Sequence, residues 1–145
     1  LAGILQKTAR LLSTVSGQTA VVVYPDHHHV EISRMSLMLE KPDFKDIIQL
    51  RDAMRILEEP ENIEEIFRTA GQGPDEVDVK VGRELMRPAL SEFGVIKADY
   101  QVSDDVHGSL GLVGPKRMPY GRLITLVRTI KDAVNHAFVR MRGRE

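Results

Sequence analysis

The sequence has no cysteine and no tryptophan, aromatics make up only 5% of it, and it contains no long hydrophobic run. Without cysteine there is no disulfide framework, no thiolate metal site and no cysteine nucleophile. A membrane-spanning helix needs about 18 to 20 consecutive apolar residues, and no stretch approaches that. The opening Leu1-Ala2-Gly3-Ile4-Leu5 lacks the basic leader of a signal peptide. Few aromatics leave little for base stacking on single-stranded nucleic acid. These absences predict a cytoplasmic protein. Leucine rather than methionine stands first, so a fragment of a longer chain is expected.

What is present is enough for a fold. The 145 residues are 42% hydrophobic and 28% charged, ordinary values for a globular domain and far from the disordered range. A domain of that size buries about 68 to 70% of its unfolded surface. The net charge of −1 hides an asymmetry. Glu40 to Asp78 holds 12 acidic and 5 basic side chains, a balance of −7, while Lys116 to Glu145 holds 8 basic and 2 acidic, a balance of +6. The acidic stretch could meet the basic one within or between subunits, or the basic end could approach an anionic partner. Two solvated helix faces of opposite sign is the simpler expectation.

Periodicity supplies the elements. Leu1, Ile4, Leu5, Thr8, Leu11, Leu12 and Val15 recur at helical spacing, and Ser16-Gly17 ends that helix. Thr19 to Tyr24 is β-branched and reads as a buried strand. Pro25-Asp26 turns the chain toward a second strand at Val30 to Ser33, and Met35 to Glu40 fits no pattern. A helix with Phe44, Ile47, Ile48, Met54 and Leu57 on its apolar face is predicted next, with Asp43 as N-cap. Pro60 opens another helix, with Ile63, Ile66, Phe67 and Ala70 inward, and Gly71-Gln72-Gly73-Pro74 is a loop. Val77, Val79 and Val81 alternate with Asp78 and Lys80, a strand with one wet face. Gly82 to Glu92 is a connection. Phe93 to Val102 and His107 to Val113 form an antiparallel hairpin around Ser103-Asp104-Asp105. Leu123, Val127, Ile130, Val134 and Phe138 then form one stripe of a long closing helix, with Arg122, Arg128, Lys131, Asp132 and Arg140 off it. The class is α+β.

No reactive constellation emerges. Gly108, Gly111 and Gly114 are spaced by three through a strand and lack the order and helix start of a phosphate loop. A sheet strand with close backbone approach accounts for them better. His27, His28 and His29 lie consecutively on one turn, without the rigid three-ligand geometry of catalytic zinc. Ser91, Ser103 and Ser109 sit in no nucleophile elbow beside His107 or His136. Paired carboxylates such as Glu58-Glu59, Glu64-Glu65 and Asp104-Asp105 are predicted to be solvated, where two pKa values are not driven apart. Arg140, Arg142 and Arg144 fit a solvated helix end better than a phosphate contact. The sequence therefore predicts a protein that is not an enzyme and has no catalytic residue, cofactor or metal.

One string carries more. Gly108-Ser109-Leu110-Gly111-Leu112-Val113-Gly114-Pro115-Lys116-Arg117-Met118-Pro119-Tyr120 resembles the C-terminal signature of HrcA-type heat-inducible transcription repressors, Gly-x-Leu-Gly-x-x-Gly-Pro-x-Arg-Met-x-Tyr. Leu5-Gln6-Lys7 through Leu11-Leu12-Ser13 and Thr19-Ala20-Val21-Val22 are similar to the helix and strand that follow that family's DNA-binding domain. Leu39-Glu40-Lys41-Pro42-Asp43-Phe44 and Val79-Lys80-Val81-Gly82-Arg83-Glu84 resemble two further family runs.

The resemblance implies a bacterial negative regulator of chaperone operons that acts as a homodimer, binds operator DNA through a winged helix, and depends on a GroE-type chaperonin. It implies a GAF-like antiparallel sheet flanked by helices, here without the winged helix. A GAF-like small-molecule sensor is the alternative. In that family a long segment, holding more of the GAF-like sheet and an inserted dimerising domain, stands where this sequence passes from Arg34 to Met35. Residues 1–145 are therefore expected to form one regulatory and dimerisation domain, discontinuous as 1–34 and 35–145, with a missing or deleted segment between. The signature residues Gly108, Gly111, Gly114, Pro115, Arg117, Met118 and Tyr120 are expected to be structural: glycines packing the strand, and Arg117, Met118 and Tyr120 locking the turn that starts the closing helix.

Overall fold

The computed structural model describes residues 2–68 and 76–143. Its elements are α1 (Ala2–Ser16), β1 (Thr19–Val23), β2 (Val30–Ser33), α2 (Ile47–Glu58), α3 (Pro60–Arg68), β3 (Val77–Val81), β4 (Phe93–Ser103), β5 (Val106–Pro115) and α4 (Tyr120–Gly143). Short 3-10 helices cover Met35–Glu40, Gly82–Leu85 and Pro88–Leu90. The strands form one antiparallel sheet in the order β2-β1-β5-β4-β3. The fold is α+β, as predicted.

Strand alternation sends side chains to two cores. Ala20, Val22, Ile96, Ala98, Tyr100, Leu110 and Leu112 pack under α1 and α4. Val21, Val23, Phe93, Val95 and Val113 pack under α2, α3 and the 3-10 segments. With both faces covered, β1 is buried at all five positions, which explains its unbroken apolar run. Tyr100, fully buried, donates its hydroxyl to the Val23 carbonyl at 2.8 Å and so ties β4 to β1 across β5. The helices of the acidic stretch, α2 and α3, lie across the sheet from α4, and the two stretches approach each other where Asp43 lines one depression with Lys116 and Arg117.

Helix phases differ in part from the apolar pattern. α1 buries Leu5, Thr8, Ala9, Leu12, Ser13 and Ser16, while Leu11 and Val15 are half exposed. Small residues set this phase: Ser13 Oγ lies 2.9 Å from Ser33 Oγ of β2, so the helix seats on the sheet through Ala9 and its serines. α2 starts later than predicted. Its N-cap is Asp46, not Asp43, and the Asp46 carboxylate accepts from the Ile48 and Gln49 amides at 3.0 and 3.1 Å. Phe44 stays outside the helix, its ring stacked 4.4 Å from Phe93. The helix buries Leu50, Ala53 and Leu57 and leaves Ile47 and Ile48 at 78% and 64% exposure. Asp46→Ala should destabilise the fold by about 1 kcal/mol, read as a lower urea midpoint with an unchanged slope.

α3 buries Ile63, Ile66 and Phe67 as predicted, whereas Ala70 and the predicted loop at 71–74 lie outside the described residues. α4 buries Leu123, Val127, Ile130, Val134 and Phe138, and also Lys131, which the stripe placed outside. Lys131 is 1% exposed, its ammonium 3.4 Å from Asp132. Its four-carbon stem supplies apolar contact while its head reaches a polar partner. The segment Met35–Glu40, unreadable from its pattern, is a 3-10 helix that buries Met38. Arg34 precedes it in a left-handed conformation, φ 60°. Its carbonyl accepts from Leu37 N and from Thr19 Oγ1, both at 3.0 Å.

Candidate functional site at the glycine-proline turn

The residues of the quoted string fall on the last strand, the turn after it and the start of α4. Gly108, Gly111 and Gly114 are buried in β5, each pressed by a different neighbour. A Cβ on Gly108 would fall on the Tyr100 hydroxyl and the Val23 carbonyl, and one on Gly111 on the Ile96 carbonyl oxygen of β4. At Gly114 it would meet the Gln18 amide and, 2.8 Å away, the Met118 sulfur. Gly94 lies opposite Gly114 in β4, and a Cβ there would meet the Tyr120 hydroxyl and, at 3.1 Å, the Met118 methyl. The glycine pair thus leaves a notch at the end of the sheet that Met118 and Tyr120 fill.

Pro115 is buried and pairs with Phe93. Lys116 N donates to the Glu92 carbonyl at 2.9 Å, and its ammonium lies 3.4 Å from the Glu92 carboxylate. Tyr120 closes the turn by donating its hydroxyl to the Lys116 carbonyl at 2.5 Å. Burial, with Glu84 nearby, pushes that phenol above its ordinary pKa, so it remains a donor at neutral pH. Met118 and Tyr120 are half-buried, whereas Arg117 is exposed. Arg117 lines an open depression of about 480 Å³ with Lys45, Lys116, Asp43 and Glu92. Tyr120→Phe should cost about 1 kcal/mol through the lost hydrogen bond, checked by chemical denaturation.

The other candidates are dispersed. Asp26 Oδ1 accepts from the His28 and His29 amides at 2.8 and 3.0 Å, which lowers its pKa. The His29 ring stacks on Tyr24, and His27, at φ 63°, sets its ring edge-on to His107 at 5.8 Å. Among the described residues no group of three or more His, Cys, Asp or Glu is placed to hold a metal ion. Ser109 donates to Asp99 at 2.9 Å and Ser91 accepts from Gln49 at 3.2 Å. Glu64 pairs with Arg68 and Glu65 with Arg87. Asp104 and Asp105 are exposed at the hairpin tip. No described helix is long and apolar enough to cross a membrane.

Two features carry no signal in the sequence. Gly94, the partner of the notch, carries no signal because its role depends on a residue 26 positions away. The second is a polar group on the sheet face under α3. Lys97 is buried at 3% exposure, donates to the Phe67 carbonyl, and lies 3.5 Å from Asp99. Desolvation pushes the Lys97 pKa down, opposed by the charges of Asp99 and Asp78.

These observations define a three-layered α+β domain, an antiparallel sheet between two helical layers, closed by a packed turn that leads into a long helix. The model of the family described as "HrcA protein C terminal domain" matches residues 29–124, and the chain belongs to that family. Relatives named heat-inducible transcription repressor HrcA match it at modest identity. The Symbiobacterium thermophilum protein is 29% identical over 105 residues, covering 72% of this chain and 30% of the relative. The Ruminiclostridium cellulolyticum protein is 22% identical over 133 residues, covering 91% and 38%. A Listeria monocytogenes protein is 34% identical over 90 residues, covering 62% and 25%. The chain thus spans a quarter to two fifths of the length of these relatives. A solved structure described as that of a hypothetical protein superposes with a TM-score of 0.78 at 12% identity, covering 94% of this chain and 70% of that one. That likeness speaks to the fold alone.

Proposed function

We propose that this chain is the regulatory and dimerisation domain of a negative regulator of heat-shock operons, with GAF-like architecture. The observation that carries the reading is the family match across residues 29–124, which includes the turn whose residues fit one another as a packed unit. In this reading operator contact is made by a winged helix outside these residues, the active species is a homodimer, and a GroE-type chaperonin supports repression. In this reading the domain is discontinuous, as 1–34 and 35–145, with a segment missing or deleted between Arg34 and Met35. The signature glycines, Pro115, Met118 and Tyr120 act by packing. Arg117 faces solvent, beside Lys45 and Lys116. Chemistry on a substrate is no part of this reading.

The test compares this chain with its full-length protein on the inverted-repeat operator of a chaperone operon. Full-length protein should retard the DNA, more strongly when chaperonin is added, and the 145-residue chain should sediment as a dimer without retarding it. Tight operator binding by the chain alone, or unchanged chaperone transcription when the full-length gene is removed, overturns the reading.

A further inference from the structure

The histidine turn between β1 and β2 has no part in the reading above, yet it brings two imidazoles from different elements together. His27 stands in that turn and His107 near the start of β5, with ring centroids 5.8 Å apart and planes at 71°. Strand pairing puts them there. β1 and β5 are neighbours, with Val23 opposite Ser109, so the chain leaving β1 passes beside the chain entering β5. His107 is held in the β4–β5 ladder opposite Gln101. Next to it, buried Gly108 lies against the Tyr100 hydroxyl and the Val23 carbonyl, which sets how closely the two backbones approach.

His27 is anchored from its own side. Its amide donates to the Tyr24 carbonyl at 2.9 Å, and the Asp26 carboxylate accepts from the next two amides. Its φ of 63° is a left-handed conformation, uncommon outside glycine, and in it the ring meets His107 rather than its neighbours in sequence. His29 instead stacks on Tyr24, centroids 4.2 Å apart. The pairing of His27 with His107 is therefore tertiary and does not follow from three histidines being consecutive.

We propose that His27 and His107 together bind one divalent ion of the zinc class between the β1–β2 turn and β5. Imidazole nitrogen suits zinc, nickel and copper. Two imidazoles on one tetrahedral zinc ion, each nitrogen about 2.0 to 2.1 Å from the metal, hold their ring centroids about 5 Å apart. His107 is exposed and His27 half-buried, so a small turn of the outer ring closes the difference and the ion enters from solvent. The rings are not stacked face to face, an arrangement that would keep their nitrogens from a common point. No third His, Cys, Asp or Glu among the described residues joins them, so water completes the shell. That describes a surface ion of modest affinity that ties the turn to the sheet, not a catalytic centre, which recruits a third protein ligand.

The experiment is calorimetric titration of the chain with zinc chloride, with thermal melting in parallel. One zinc per chain should bind and raise Tm. His27→Asn keeps a residue that accepts the left-handed backbone, and His107→Gln lies at an exposed strand position, so both should keep the parent's circular dichroism and zinc-free melting. Each should weaken zinc binding by about tenfold or more. The variant carrying both should be little weaker than either alone, because the two rings act as one site. His28→Gln should stay within about threefold of the parent. Binding that His107→Gln leaves unchanged, or that His28→Gln removes equally, would put the ion on the consecutive histidines of the turn and overturn the inference. So would one zinc per two chains, which makes the ion a bridge between molecules, or no zinc bound at concentrations up to about 1 mM.

Discussion

Gly111→Ala should destabilise the domain by about 3 kcal/mol or more, near the upper end of what overpacking costs. The magnitude follows from what the added methyl would strike. Gly111 lies in β5, paired with Val21 of β1 on one side and Lys97 of β4 on the other. A Cβ there would fall on the Ile96 carbonyl oxygen and 2.8 Å from Lys97 Cα. Both obstacles are main chain within the β4–β5 ladder, so relief means parting the two strands rather than turning a rotamer. Gly114→Ala meets the ends of the Gln18 and Met118 side chains, which can move, and should cost about 1 kcal/mol. Gly121→Ala, near the start of α4 with nothing within 4 Å, should be neutral or stabilising by up to about 1 kcal/mol. Urea unfolding of the three variants reads the order directly. A Gly111→Ala midpoint equal to that of the parent would show that the strands are not in close contact there.

That ordering shows where sequence reading succeeds and stops. The three glycines, the hairpin from Phe93 to Val113 and the stripe of α4 were legible because each is a local pattern: alternation, turn residues, or a 3.6 period. What each glycine packs against was not, since Tyr100, Ile96, Gln18 and Gly94 come from other strands and loops. The phase of α1 was misjudged because the pattern favours leucine and valine, while seating on β2 favours Ala9 and Ser13. Asp43 and Asp46 offer the same side chain three residues apart, and only the Phe44 ring stacked on Phe93 decides which one caps α2. Charge was the weakest guide. Lysine counts as a solvent residue in any periodicity argument, yet Lys97 and Lys131 are both buried.

Lys97 gives the second large effect. It sits on β4 facing α3, with its ammonium donating to the carbonyl of Phe67 in that helix's last turn. Carbonyls there lack intrahelical donors and carry the negative end of the helix dipole, so a cation is well placed. Asp99 lies 3.5 Å away and also accepts from Ser109 at 2.9 Å. Lys97→Met keeps the stem but leaves the Phe67 carbonyl without this donor and Asp99 without its cation. The expected loss is about 3 kcal/mol, the low end for breaking a buried pair, because Asp99 keeps Ser109 and part of its surface in water. The loss should depend on pH with a defined sign. Burial lowers the Lys97 pKa below its ordinary 10.5, so between the folded value and 10.5 the unfolded chain binds more protons. The parent therefore gains stability relative to Lys97→Met as pH rises through that window, and the difference levels off above it. Tyr100 works in the opposite direction, since burial raises its pKa, but it is common to both proteins and cancels in the comparison. A penalty that stays flat up to about 10.5 and shrinks only above it would mean that the ion pair with Asp99 outweighs desolvation at Lys97.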